Sequence, residues 1–310
     1  MVAGSTREIT IAWRDIRLAG TLSLPAAPPP HPAVLMLQGG GSADRNHGGY
    51  FPSIRDAFLA RGIATFSFDK PGVGGSTGDW RHYALQGRAE QAVAALERLR
   101  AAEGIDRRCV GVWGHSQGGW LVQILAARDP DLPFAVANSG SAIGIERQDF
   151  YGWEQTLRVD GAADQDVAAA LTFLRSVQEA ARRGDDYAAV EERLVRAARG
   201  QPWYGYLELE DADDWGHERR FIQEAYEPLE ALARVRCPFL AVFGALDVLI
   251  PVWESARLCG QALRDAGNRD ATVVVFPQGN HRIQLEETRQ FVPGYLDLLG
   301  DWALHRVARH

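Results

Sequence analysis

The sequence predicts an α/β protein: a mainly parallel, doubly wound sheet with a helical block inserted into it. Three observations carry this prediction. Short apolar runs alternate with helical segments from residue 33 to 139 and again from 238 to 307, the rhythm of strands joined by crossover helices. Residues 141–228 between them show helical spacing and no strand pattern. Residues 109–128, CVGVWGHSQGGWLVQILAAR, read as strand, sharp turn and helix in immediate succession. The chain therefore divides into a core of residues 1–140 and 229–310 and a helical cap of residues 141–228.

Residues 7–24 alternate apolar and polar side chains around a turn near Arg14-Asp15 and close at Pro25, the pattern of an antiparallel hairpin. The run AAPPPHP is a stiff surface connection. Ala33 to Leu37 is a continuous apolar run suited to a buried strand, and the glycine loop Gln38-Gly39-Gly40-Gly41-Ser42 follows it. Residues 52–61 form a helix, and Gly62 to Phe68 the next strand, ending at Asp69. Val93, Leu96 and Leu99 place a helix over 83–102, stopped at Glu103-Gly104. Phe134 to Ala137 is a further strand.

Within the cap, Asp164 is expected to cap one helix, followed by Gly184, and Asp185 another, stopped by Gly200. The core resumes with strand Phe239 to Phe243, a helix from Ile250-Pro251 to about Ala266, strand Thr272 to Phe276, and a closing helix over 287–307.

Composition excludes several classes of function. The 33 basic and 40 acidic side chains leave a formal charge of −7, which favours neither nucleic acid nor an anionic membrane surface as partner. The N-terminus lacks a basic start followed by an apolar segment, and no stretch reaches bilayer-spanning length; a cytoplasmic protein is expected. Cys109, Cys237 and Cys259 are an odd number without metal-ligand spacing and read as buried free thiols.

The turn at 114–118 carries the chemistry. A serine there projects from the carboxyl end of a strand, and small neighbours allow strand and helix to approach around it; Gly114, Gly118 and Gly119 supply them. Ser116 is thus the candidate nucleophile, and the N–H of Gln117, at the start of the helix, faces the same space. Gly74-Gly75-Ser76-Thr77-Gly78 matches the same five-residue pattern, but no strand precedes it and no apolar helix follows, so Ser76 reads as structural. A serine hydroxyl needs a base, and the base needs a carboxylate to fix its tautomer. His281 lies five residues after the last strand, and Asp247 four residues after the strand before it. Asp69 is the reserve carboxylate, and His115, beside the serine, reads as structural. Acyl transfer also needs oxyanion donors, each worth about 3 kcal/mol of barrier. Gln117 is one, and Gly40 is the best second, with Gly39 and Gly41 as neighbours in the same loop.

Aromatic residues collect in the cap. Most are expected to pack cap against core, and Trp153, Trp203, Tyr204 and Trp215 are the candidates for lining a substrate pocket. The acidic run Glu208 to Asp214 would repel a polyanion and welcome an ammonium group if it rims that pocket.

The stretches GTLSLP, LQGGGSADRN, FDKPGVGGSTG, GHSQGG, CPFLAVFGALDVLIP and GNH, in this order, resemble the α/β-hydrolases, and among them the esterases and peptidases related to dienelactone hydrolase. The resemblance implies a serine nucleophile, an acyl-enzyme intermediate, and neither metal nor organic cofactor. It departs from many relatives at Gln38-Gly39, where they carry His-Gly, and at Lys70, where they often carry arginine. The expected activity is hydrolysis of a small to medium, largely uncharged carboxylic ester, bound under the aromatic cap, through Ser116, His281 and Asp247. The expected partner is a small-molecule ester or amide substrate, and the alternatives are a peptidase or amidase that anchors a substrate amine on the acidic cap residues, an acyltransferase or carbon–carbon hydrolase, and a ligand-binding protein without activity.

Overall fold

Eight strands form one sheet among residues 3–207 and 212–308, which the structure, a computed structural model, describes. They are β1 (Ala3–Trp13), β2 (Ile16–Pro25), β3 (His31–Leu37), β4 (Ala64–Phe68), β5 (Ile105–His115), β6 (Ala135–Asn138), β7 (Phe239–Gly244) and β8 (Ala271–Phe276). Their order across the sheet is β1-β2-β4-β3-β5-β6-β7-β8. The first hairpin pairs Ile11 with Leu18 and lies antiparallel on β4, and every pairing from β4 to β8 is parallel. The core helices are α1 (Phe51–Leu59), α2 (Leu85–Arg100) and α3 (Gln117–Arg128). Between β6 and β7 stand α4 (Ile145–Val159), α5 (Asp164–Arg183), α6 (Tyr187–Val190), α7 (Arg196–Ala198) and α8 (Trp215–Glu224), over the residues expected to form the cap. The core then closes with α9 (Pro228–Leu232), α10 (Val252–Asp265) and α11 (Tyr295–Val307).

The two-residue period of a strand divides the core into two layers. Ala33, Leu35 and Leu37 of β3, Val110 and Val112 of β5, and Phe239, Ala241 and Phe243 of β7 face the layer that holds α2 and α3. The intervening Val34, Met36, Cys109, Trp113, Leu240 and Val242 face α1 and α11. Each large aliphatic side chain so buried contributes about 1.5–3 kcal/mol. Central strands buried on both faces explain why these runs are continuously apolar rather than alternating.

Between β6 and β7 no strand occurs among the described residues. The helices there have apolar clusters of their own, one around Leu157, Val167, Ala170 and Trp203, the other around Ala180, Val190, Trp215 and Ile222. Gly184, at φ 83°, ends α5 in the left-handed conformation that favours glycine. Two cap expectations shift by one residue. Ala163 is the N-cap of α5, leaving Asp164 in its first turn, and Asp186 rather than Asp185 caps α6, accepting from the Ala189 N–H at 2.8 Å. Asp185 pairs instead with Arg183 at 2.9 Å.

The closing helix begins at Tyr295, not at 287. Pro293 biases its predecessor away from helical backbone, and residues 284 and 291 pair as an antiparallel bridge across an intervening turn. Among the described residues no helix is long and apolar enough to cross a membrane.

Candidate active site

The carboxyl ends of β3, β5, β6, β7 and β8 carry the candidate groups. Ser116 sits between β5 and α3 at φ 57°, ψ −120°, a backbone conformation that costs about 1–3 kcal/mol for a residue with a side chain and persists only where its surroundings enforce it. They do so here. The Ser116 N–H donates to the Asn138 carbonyl at 2.8 Å, and its own carbonyl accepts from the Gly119 N–H at 2.7 Å. A Cβ on Gly118 would collide with the Leu37 carbonyl, so strand and helix meet only because side chains are missing.

His281 and Asp247 are in contact. The imidazole Nδ1 and Asp247 Oδ2 are 2.6 Å apart, with the Asp247 side chain wholly buried and His281 17% exposed. The second carboxylate oxygen accepts from the Leu249 N–H at 2.8 Å. With Nδ1 committed to the carboxylate, Nε2 is the nitrogen left to take a proton. The loops after β7 and β8 are tied together by the Leu246 N–H on the Gly279 carbonyl, 2.8 Å. The His281 carbonyl is pinned by the Ser139 hydroxyl at 2.8 Å and by His115 Nε2 at 3.1 Å. His115 therefore fixes the loop that carries His281. Its ring packs against Tyr50 and His281, with centroids at 4.8 and 4.9 Å. Burial, with the neighbouring His281 and His47, pushes its pKa well below the ordinary histidine range, so it stays neutral and donates through Nε2.

The loop after β3 is held from beneath by two buried cations. Lys70 Nζ donates to the Gly39 carbonyl at 2.6 Å and also to that of Gly41. Arg88 donates to the Gly39 carbonyl at 3.1 Å, to the Gln38 carbonyl at 3.3 Å, and to the side-chain oxygen of Gln117. In a trans peptide the C=O and N–H point to opposite sides, so anchoring the Gly39 carbonyl turns the Gly40 N–H away from both cations, toward the open side of the loop. Gln38 bonds the Phe68 and Asp44 carbonyls through Nε2, the latter at 3.2 Å. It holds the loop where many relatives have histidine.

Asp69 and Ser76 are occupied elsewhere. Burial works to raise the Asp69 pKa, but Arg45, bonded to both carboxylate oxygens at 3.1 and 2.7 Å, and the Gly75 and Arg45 N–H groups hold it below the usual range. Ser76 donates to the Asp69 carbonyl at 2.7 Å and accepts from the Ala19 N–H at 2.9 Å.

A sequence model of the alpha/beta hydrolase family matches residues 34–293, spanning every group just described except the first hairpin. The chain belongs to the alpha/beta hydrolase family. It is 25% identical over 255 residues to an uncharacterised 31.7 kDa Escherichia coli protein of the traX-finO intergenic region, covering 80% of this chain and 82% of that one. It is 32% identical over 118 residues to the 2,6-dihydropseudooxynicotine hydrolase of Paenarthrobacter nicotinovorans, covering 38% of this chain and 30% of that one. Among solved structures it is similar to an esterase of Pyrococcus furiosus, with a TM-score of 0.64, 14% identity, and 98% and 91% of the two chains covered; at that identity the likeness is one of fold. Family and relatives make it an enzyme of the hydrolase class.

Two features of this alpha/beta hydrolase are not apparent from motifs. Arg88 reads as an ordinary polar helix residue, yet it falls on the stripe of Leu85, Ala92, Ala95 and Leu99 that α2 buries; an arginine on an apolar stripe is the signal. The second is a cavity of about 500 Å³ among the helices between β6 and β7, with Leu249 in its wall. Trp153 and Trp215 border it. Trp203 and Tyr204 pack within the cap, Trp203 lying 5.2 Å from Phe173 and 6.4 Å from Tyr204 between ring centroids. In the acidic run, residues 208–211 lie outside the described residues.

Proposed function

We propose that this hydrolase cleaves a carboxylic ester through an acyl-enzyme on Ser116. The observation that carries the reading is the 2.6 Å bond between His281 Nδ1 and the buried Asp247 carboxylate, on loops adjoining the strained serine turn. Ser116 Oγ attacks the ester carbonyl while His281 Nε2 takes its proton, and Asp247 stabilises the resulting imidazolium. The tetrahedral oxyanion is held by the N–H groups of Gln117 and Gly40. Gln117 stands in the first turn of α3, where N–H groups lack intrahelical acceptors. Collapse expels the alcohol, which receives the proton from His281. Water then attacks the acyl-serine with His281 again as base, releasing the acid and restoring the hydroxyl.

Support comes also from the family match and from hydrolase and esterase relatives. The same groups would cleave an amide given a leaving amine that His281 can protonate, so ester and amide substrates are separated by assay. Initial rates on chromogenic esters of increasing acyl length, with an aminoacyl anilide in parallel, test the reading. Ester turnover that disappears in folded Ser116→Ala is expected. Anilide cleavage without ester turnover would make the enzyme an amidase, and equal ester rates in the variant and the parent would remove Ser116 from the mechanism.

A further inference from the structure

The cap cavity is lined by aromatic and aliphatic side chains and by three acids, Asp149, Asp160 and Glu218, with no lysine or arginine among its described lining residues. A volume of about 500 Å³ suits a small organic molecule. Apolar walls ordinarily exclude charge, because an unpaired ion there loses its hydration. Asp149 nonetheless makes no ion pair or hydrogen bond with any described residue, whereas Glu146, one turn before it on α4, is paired with Arg182 at 2.9 Å. Burial, and then the nearby Glu218 and Glu146, raise the Asp149 pKa well above the carboxylate range, which marks a site short of positive charge. Trp153, Trp215, Tyr187 and Phe221 line the same space, and aromatic rings attract cations most strongly where water is excluded.

We propose that this cavity binds an organic cation, an alkyl- or arylammonium group, with Asp149 as its counter-ion and the aromatic rings around its alkyl substituents. An inorganic cation would leave the apolar walls unused, and an anion would meet three carboxyl groups. Ser116, Asp247 and His281 are not among the lining residues, but the cavity reaches the loop that carries Asp247. Its wall includes Leu249, whose N–H bonds Asp247, and Phe221, whose ring lies 6.2 Å from that of Trp120, four residues after Ser116. As a substrate subsite this assignment rests on the ester-hydrolase reading, and it makes the preferred ester one that carries a positive charge remote from the scissile bond.

Binding can be measured apart from turnover. Phenyltrimethylammonium and its uncharged carbon isostere tert-butylbenzene are titrated against Ser116→Ala by tryptophan fluorescence, and against Ser116→Ala carrying Asp149→Asn. The cation is expected to bind at least about tenfold tighter than the isostere, and Asp149→Asn to remove about tenfold of its affinity while leaving the isostere unchanged. Thermal melting of Asp149→Asn at neutral pH should show no loss of stability, since an uncompensated acid has been neutralised. Equal affinity for the two probes, or cation binding untouched by Asp149→Asn, would overturn the proposal. Ester turnover by the parent enzyme, measured on a butyrylthiocholine and 3,3-dimethylbutyl thiobutyrate pair, separates the two claims. Cation binding without any hydrolysis leaves the site standing and contradicts the esterase reading, whereas hydrolysis with no preference for the charged ester contradicts the subsite.

Discussion

Lys70 and Arg88 donate to one acceptor, the carbonyl oxygen of Gly39, at 2.6 and 3.1 Å. Both side chains are buried, 1% and 7% exposed, and no carboxylate forms an ion pair with either among the described residues. Burial drives the Lys70 pKa well below its usual range and that of Arg88 down to about 9. Two cations are held at this cost where they fix the plane of a single peptide, the one whose N–H is the proposed second oxyanion donor.

Lys70→Met is therefore expected to lower kcat by roughly ten- to a hundredfold with little change in KM, because the loss falls on an interaction made in the transition state. Lys70→Arg should recover part of the rate. Steady-state kinetics on one ester check this. A rise in KM at constant kcat would show that Lys70 serves binding or structure and not the oxyanion loop.

Ser76 and Ser116 occupy the same five-residue pattern with opposite consequences. Ser76→Ala leaves the Ala19 N–H without its acceptor and removes the donor to the Asp69 carbonyl, a loss of about 1–3 kcal/mol in stability, while ester turnover should remain near the parent value. Urea unfolding and rates on the same preparation distinguish this from a catalytic role.

Gly118→Ala is expected to destabilise the protein by more than about 3 kcal/mol, since the new methyl would overlap the Leu37 carbonyl and neither backbone can retreat. A variant with parental melting behaviour would show that β3 and α3 are less tightly apposed than described.

Acid should weaken the fold before the carboxylates titrate. His115 lies well below the ordinary histidine range, and burial, then Lys70, Arg282 and Arg88, put His47 at about 3. Below the unfolded histidine value of about 6.5 the unfolded chain takes up protons that the native state refuses, so stability falls as pH falls. Each fully buried histidine contributes up to about 1.4 kcal/mol per pH unit, and His47, which retains some exposure, contributes less. Asp149 works in the opposite direction over the interval between its unfolded value and its raised native one. Denaturant melts at pH 8, 6 and 5 should therefore show a slope that His115→Gln reduces; a flat profile would mean that these rings are charged in the folded protein.

Much of the candidate site is legible in the sequence because it is encoded locally. Ser116 is marked by glycines on both sides, and Asp247 and His281 each follow an apolar run by a few residues, so strand ends gave their positions. The parallel alternation of β3 to β8 was legible for the same reason. What escaped depends on contacts distant in sequence. Arg88 bonds residues 49 and 50 positions away, and nothing in α2 says that its buried arginine has carbonyls to meet. Spacing also could not divide the cap aromatics, because cap helices are covered on more than one side: Trp153 and Trp215 border the cavity, whereas Trp203 packs into a cluster with Leu157 and Val167. The start of the last helix was misread because leucine and valine in 285–292 continue an apolar rhythm that Pro293 interrupts.

The central claim is a covalent intermediate on Ser116. Mixing the enzyme with a slowly deacylating 4-nitrophenyl ester, quenching in acid and sequencing the labelled peptide by mass spectrometry tests it most directly. One acyl group per chain is expected, on Ser116 within residues 109–128, matched by a burst of nitrophenol and absent in Ser116→Ala. An acyl group on another residue, or a burst that persists in Ser116→Ala, would contradict it.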